Sequence, residues 1–212
     1  HKGVLDAAHT VTAYWYSKNK SASLFGTGPV FGCNAPQILA WIQYGGGAEL
    51  LDELQTKILK VNVRSFFAMP MPTQPLGWFK FHVTSAKQMV GLKYRTVGLA
   101  TDIMQGMGLK VTQLPGGEIV PAAQKGVIDA AEWINPGEDI KLGLQHIWKN
   151  YYLQGIHQAS DLGEIIVNKD FWKKLSPELQ AIFRGAAQAS VMQSLAAHIY
   201  RNAVALDRLK KE

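Results

Sequence analysis

Few residues of this chain are spaced for covalent chemistry. There is no G-x-S-x-G elbow, no Walker-type phosphate loop and no H-E-x-x-H pair, and Gly26-Thr27-Gly28 runs into Pro29, which breaks a dinucleotide fingerprint. The histidines at 9, 82, 146, 157 and 198 have no metal-ligand spacing among them, and no Ser-His-Asp set assembles. His198 lies in a helical stretch and reads as a surface or packing residue. What remains is a set of polar groups at predicted strand ends and loops, which suits binding better than turnover. Arg95 follows Tyr94 at the end of a short predicted strand. It is either a solvated surface arginine or a clamp on a carboxylate, for which a guanidinium offers two parallel donors that lysine cannot copy. Glu132-Trp133 ends a second short strand. Trp133 is either a core aromatic or an apolar wall beside a ligand, and Glu132 can lend charge to a cation. Gln74, in a Pro-rich stretch, is on residue type alone a loop amide. Tyr14-Trp15-Tyr16 sets three aromatics in a row. On a strand they cannot all face one side, so at least one is exposed or in a cleft, where a phenol can meet a polar ligand. Asn135-Pro136-Gly137 is a turn signal first and a ligand contact second.

The elements that would position these groups follow from periodicity and punctuation. Strands are expected at Gly91–Arg95, Leu109–Leu114 and Val127–Ala131, with helices at Thr101–Gly106 and from Glu118 to Gly126 between them. That alternation predicts a parallel sheet with right-handed crossovers, whose ligands sit beyond the carboxyl ends of the strands, where Arg95 and Glu132 lie. Upstream, Pro36–Tyr44 and Ala48–Lys57 read as helices parted by Gly45-Gly46-Gly47, and Val61–Met69 as a long strand. Met69–Pro75 is too rich in proline for a central strand and suits a crossing between lobes. Trp78–Val83 and Gly163–Asn168 read as further strands. From Pro177 to Lys211 the pattern is helical, started by Ser176-Pro177. Such a helix would span about 52 Å, long enough to bridge lobes or subunits. Lys2-Gly3-Val4-Leu5-Asp6-Ala7-Ala8-His9 recurs as Lys125-Gly126-Val127-Ile128-Asp129-Ala130-Ala131-Glu132. This is either chance or the mark of two related lobes, each with a short buried strand after a Lys-Gly helix end, placing His9 and Glu132 at equivalent strand ends.

Composition sets the outer bounds. With 212 residues, 47% apolar and 18% charged, the chain is neither disordered nor a charged tail. No apolar run is long enough to span a membrane as a helix. The net charge of +6 suits solubility or attraction of anions. Nucleic acid is not an expected partner, because basic residues cluster only at Arg208–Lys211. The one cysteine, Cys33, excludes an internal disulfide, and its apolar setting predicts a buried structural thiol. Lys20 reads as an ordinary surface lysine. No signal peptide is visible, and His1-Lys2-Gly3 leads straight into an apolar run as though mid-domain.

Taken together, Gly91-Leu92-Lys93-Tyr94-Arg95-Thr96-Val97-Gly98, Leu114-Pro115-Gly116-Gly117-Glu118 and Gly126 to Trp133 resemble the substrate-binding proteins of TRAP transporters. Phe31-Gly32-Cys33-Asn34-Ala35, Trp41 with Tyr44-Gly45-Gly46-Gly47, and Gln74 with Gly77-Trp78-Phe79 are similar to the branch for 2-oxo acids, lactate and related monocarboxylates, often described as mannitol or chloroaromatic type. The likeness covers essentially the whole chain. It implies an α/β fold of the bilobed periplasmic binding-protein kind (type II-like), with two parallel or mixed sheets flanked by helices and a long C-terminal helix. Residues 1–70 plus 158–212 would form one lobe and 71–157 the other. The leader and first strand-helix-strand unit of the family would lie before His1. The resemblance implies a periplasmic location, delivery of a small organic carboxylate to TRAP membrane permease subunits, and a homodimer through the last helix. It carries ligand binding onto Arg95, Gln74, Trp133 and Tyr14, leaves the role of Asn135 open, and assigns a co-bound Na+ or Ca2+ to Gln74, Glu132, the Trp133 backbone and Gln158. Relatives often have glutamate at the position of Gln158, so a charge is missing there, which favours sodium or no metal over calcium. An enzyme or a ligand sensor on the same scaffold is the rival reading.

Overall fold

The computed structural model describes residues 2–211, so His1 lies outside the described residues. Strand β1 (Ala7–Val11) runs into 3₁₀ turns over Thr12–Trp15 and Lys20–Ala22 and a single helical turn, α1 (Ser23–Gly26). Helix α2 (Ala35–Tyr44) starts on a capping box: the Gln37 N–H donates to Asn34 Oδ1 and the Asn34 N–H to Gln37 Oε1. Gly46, at φ +85°, turns the chain into α3 (Gly47–Glu53), which runs on as a π turn over Leu54–Ile58. Then come β2 (Val63–Met71), β3 (Gly77–Phe79), β4 (Lys93–Arg95), α4 (Ala100–Gly106), β5 (Lys110–Thr112), α5 (Gly116–Gln124) and β6 (Ala130–Ala131). After them lie α6 (Pro136–Leu142), β7 (Asn150–Tyr152), β8 (Asp161–Asn168), α7 (Lys169–Lys174) and α8 (Pro177–Leu209).

The strands form two sheets. The five-stranded sheet has the order β5-β4-β6-β3-β7. Its β5, β4 and β6 are parallel, joined by α4 and α5 as the alternation of elements predicts, and β3 and β7 are antiparallel neighbours. The three-stranded sheet, β1-β8-β2, is antiparallel throughout, which corrects the expectation of parallel or mixed pairing in both sheets. The connections explain it: β2 leaves towards the five-stranded sheet and β8 returns from it, so as neighbours they must run in opposite directions. β2 also continues through Pro70 to Met71, further than its prolines suggested. It is an edge strand with a register shift between Phe67 and Met69, the setting in which a missing N–H is tolerated.

The internal repeat is only locally alike in structure. Gly3 and Gly126 both take left-handed φ values, +79° and +67°, and a strand begins at the matching residues Ala7 and Ala130. In the second copy Ile128, Ala130 and Ala131 are buried although Val127 is exposed, whereas in the first both Val4 and Leu5 are exposed and β1 is a sheet edge, so the predicted buried strand is absent there. His9 consequently sits in the middle of β1 opposite Ile165, whereas Glu132 follows the end of β6. Cys33 is exposed rather than buried, on a loop where Phe31 takes φ +56° and faces solvent.

Two apolar clusters flank the five-stranded sheet, one around Trp78, Ile119, Ile128 and Trp148, the other around Phe79, Tyr94 and Met104. Ile38, Leu39, Ile42, Leu162 and Val191 join α2, β8 and α8 beside the other sheet. α8 touches both sides: Ser190 Oγ donates to Ala68 O in β2 at 2.9 Å, and Asn202 Oδ1 accepts from the Gly137 N–H in α6 at 3.0 Å. Among the described residues no helix is long and apolar enough to cross a membrane.

The irregular segment leading back to β8 passes so close to Gln74 that a Cβ at Gly155 would stand 1.6 Å from Gln74 O. Backbone cannot yield as a side-chain tip can. Gly155→Ala is therefore expected to cost about 3 kcal/mol or more, read as a lower urea midpoint, while Gly185→Ala, inside α8 with open space around it, should raise the midpoint slightly, by about 0.5–1 kcal/mol of helix propensity.

Candidate functional site

Parallel pairing of β4 with β6 sets Arg95 opposite Ala131, so the guanidinium and the Glu132 carboxyl emerge from adjacent strand ends. Both side chains are 1% exposed, and they meet at 2.8 Å between Nη1 and Oε1. Nη1 also donates to Glu132 O at 3.0 Å, and Nε to Leu114 O at 3.0 Å. Three of the five guanidinium N–H groups are thereby committed. The two on Nη2 are left without a partner among the described residues. The guanidinium lies 5.4 Å from the Trp133 ring centre, a cation–π contact. Trp133 is itself wedged against α5: a Cβ at Gly116 would be 2.3 Å from its Cη2.

The turn after β6 is anchored from below. Asp139 is buried and accepts from the Ile134 and Asn135 N–H groups at 3.0 and 3.1 Å, from Trp78 Nε1 at 3.2 Å and from the Tyr151 hydroxyl at 2.9 Å. Asn135 caps α6 through Oδ1, and its Nδ2 meets His198 Nδ1 at 3.2 Å. His198 is thus a buried packing residue, and Asn135 supports the wall with its polar atoms engaged.

Gln74 and Gln158 come from the two strands of chain that pass between the sheets, tied by the Gln74 N–H donating to Gln158 O at 3.1 Å. Gln74 Nε2 donates to Trp133 O at 3.0 Å and to Asp161 Oδ2 at 3.2 Å. Gln158 Nε2 donates to Val97 O at 3.3 Å. Five oxygens in this neighbourhood are buried without a hydrogen-bond partner: Gln74 Oε1, Thr96 Oγ1, Glu132 Oε2, Gln158 Oε1 and Asp161 Oδ1, with the Thr96 hydroxyl next to the Glu132 carboxylate. Unpaired buried oxygens are costly, and a cation satisfies several at once. Trp133 O and Asp161 Oδ2 already converge on one point, an amide nitrogen carrying partial positive charge. The residues therefore fit a hard cation. Among the described residues no three His, Cys, Asp or Glu side chains cluster as metal ligands, and amide, carbonyl and carboxylate oxygens suit sodium or calcium rather than zinc. Burial, against the pull of Arg95, pushes Glu132 up to about 7, and burial reinforced by the Glu132 charge pushes Asp161 up to about 7.

Arg95, Gln74, Trp133, Tyr14 and Asp161 line a cavity of about 400 Å³ with Met69, Met71, Val97 and Ile134 as apolar wall. Tyr14 is half exposed at its mouth, on a 3₁₀ turn rather than the strand expected for the aromatic run. The structure thus gathers Tyr14, Gln74, Arg95 and Trp133 around one space, sets Glu132 against Arg95, and keeps Asn135 behind. Sequence reading missed Asp161, whose signal was an acid three residues past Gln158 at the mouth of a buried strand. It also missed Met69 and Met71, hidden by treating their segment as a bare crossing. Lys20 is a surface lysine as expected, and its Nζ and the Tyr16 hydroxyl both donate to Asp102 of α4, at 2.8 and 2.6 Å, joining the chain after β1 to the other sheet's flank.

A model of the family described as bacterial extracellular solute-binding protein, family 7 (DctP), matches residues 1–212. A monocarboxylate 2-oxoacid-binding periplasmic protein of Nostoc sp. is 36% identical over 207 residues, 98% of this chain and 56% of its own length. A TRAP transporter solute-binding protein from Bordetella bronchiseptica, a mixed-occupancy dimer with copurified calcium and picolinate, superposes with a TM-score of 0.92 at 36% identity, covering 99% of this chain and 61% of that one. A TRAP periplasmic solute-binding protein from Pseudoalteromonas atlantica with bound sodium and pyruvate does so at 0.91 and 29%, covering 99% and 62%. The chain thus spans about three fifths of the length of the relatives it matches.

Because Glu132 and Asp161 titrate near 7 in the fold and near 4 in an unfolded chain, protonation favours the fold, and stability falls as pH rises through 7. His157, held neutral by burial with a value of about 4, acts in the opposite sense but below the ordinary histidine range. The chelator-treated, ligand-free chain is expected to melt at a lower temperature near pH 8 than near pH 6.5. Glu132→Gln should shrink the difference; a melting temperature that climbs with pH over this range would contradict the assignment.

Proposed function

The chain belongs to the DctP family of bacterial extracellular solute-binding proteins, and from that premise we propose that it binds a small monocarboxylate, a 2-oxo or 2-hydroxy acid, in the periplasm for delivery to TRAP membrane permease subunits. The family is one of solute carriers and not of enzymes. The observation that carries the reading is the buried Arg95–Glu132 pair opening onto an apolar cavity with Nη2 uncommitted.

In this reading Arg95 Nη2 takes the ligand carboxylate while Glu132 and Leu114 O hold the guanidinium still. A charged contact in a water-poor pocket is stronger than the same contact in solvent, because the effective dielectric constant is lower. Trp133 packs against the guanidinium and shields it, and Tyr14 at the mouth offers a phenol. Met69, Met71, Val97 and Ile134 favour an alkyl tail on the acid. Gln74, Glu132, Trp133 O and Gln158 would hold sodium or calcium, which supplies positive charge and coordination positions for the carboxylate and the 2-oxygen. The division into lobes at residues 1–70 with 158–212 and 71–157 is supported by sheet membership: β1, β2 and β8 make one sheet, and β3 to β7 the other. The ligand then favours the closed form by touching both lobes, Arg95 and Trp133 on one side and Tyr14 on the other.

A homodimer through α8 is supported by the apolar residues that helix leaves in solvent, among them Ile182, Met192, Ile199 and Tyr200. Light scattering is expected to give twice the 23.4 kDa chain mass, and Ile182→Asp with Ile199→Asp should give the single mass. A monomer in the unaltered chain removes this part of the reading.

Calorimetry with pyruvate tests the ligand. Arg95→Lys should weaken binding by about 2–5 kcal/mol, the usual cost of breaking one partner of a desolvated charge pair. Lys57→Ala, on an exposed i,i+4 pair with Glu53, should bind as the parent does. Equal affinities for the parent and Arg95→Lys would take Arg95 out of the site.

A further inference from the structure

We propose that Asp161 is a direct ligand of the cation and that its charge makes the site prefer calcium to sodium. The proposal rests on the carboxylate reading above and adds a residue to it. Asp161 opens β8, opposite Met71, three residues after Gln158, and so lies where the chain crosses between the sheets. Its Oδ2 shares the Gln74 amide nitrogen with Trp133 O, and its Oδ1 is buried with no donor. It forms no ion pair among the described residues, because Arg95 is engaged with Glu132 and Leu114 O. Glu164 is the other buried carboxyl with an unpaired oxygen nearby in sequence, but it is held by Thr12 in the three-stranded sheet, away from this cluster.

Charge decides the metal. Glu132 and Asp161 carry two negative charges against one on Arg95, and a bound carboxylate adds a third negative charge. A divalent ion brings the buried set to neutrality, whereas sodium leaves one uncompensated negative charge, which is expensive away from water. Coordination number agrees. Gln74 Oε1, Glu132 Oε2, Trp133 O, Gln158 Oε1 and Asp161 Oδ1 are five oxygens from three segments of chain. Two more from a 2-oxo acid make about seven, within the range of six to eight that calcium takes. The neutral Gln158 therefore does not bar calcium, since the charge it lacks is supplied three residues on.

The test uses the chelator-stripped chain, titrated with calcium chloride by calorimetry at fixed sodium, and with terbium followed by luminescence sensitised through Trp133. The unaltered chain should bind calcium more tightly than sodium. Asp161→Asn, of the same shape, should lose calcium affinity by at least about tenfold, the low end of what losing even an outer partner of a metal ligand costs, with sodium little changed. Gln158→Glu in the Asp161→Asn chain should restore calcium binding, while circular dichroism checks the fold. Unchanged calcium affinity in Asp161→Asn, or a preference for sodium in the unaltered chain, overturns the proposal; the latter needs no variant. Pyruvate binding measured in parallel separates the two readings. Pyruvate bound with no calcium dependence sinks the calcium site and leaves carboxylate binding standing, whereas calcium bound with no pyruvate does the reverse.

Discussion

The ion pair between Arg95 and Glu132 is the constraint around which this molecule is arranged. Two full charges out of water are tolerated only when their remaining lone pairs and protons find partners. Leu114 O, Glu132 O and the Trp133 ring meet that need on the arginine side. The glutamate side stays unfinished, with Oε2 buried and unpaired. That asymmetry leaves Nη2 of the arginine and Oε2 of the glutamate uncommitted, in a pair whose arginine lines the cavity.

Positioning the pair takes much of the fold. Parallel strands bring the two strand ends side by side, and α5 presses Trp133 over them. Asp139 then ties the following turn to Trp78 and Tyr151, whose rings stack at 4.1 Å. α8 reaches from β2 to α6, so its geometry links the sheet that supplies Asp161 with the sheet that supplies Arg95. The cavity lies between these supports and draws its apolar wall from the end of β2 and from the loops after β4 and β6.

Much of the parallel half was legible in the residues. Its strands are short, its helices end at glycines, and only a β-α-β-α-β order reconciles that spacing with a sheet. The other half read less well because its strands pair across long stretches of sequence, and no local pattern reports that β8 lies between β1 and β2. Pro70 misled for the same reason: whether a proline is tolerated depends on whether the strand is an edge, which is a property of the sheet. Cys33 misled because apolar neighbours in sequence do not guarantee burial when the loop turns them outward.

Residue type and spacing alone determined that the chain holds a packed α/β core, lacks the motifs of the common hydrolases and nucleotide enzymes, and carries an arginine and a glutamate at strand ends. The tertiary structure decided that these two meet, that the arginine's Nε and Nη1 are engaged within the chain, and that Asp161 joins Gln74 beside them. The division follows from range. Helix periodicity, caps and glycine turns act over a few residues and are written locally, whereas burial and unpaired oxygens depend on groups far apart in sequence, 87 positions for Gln74 and Asp161.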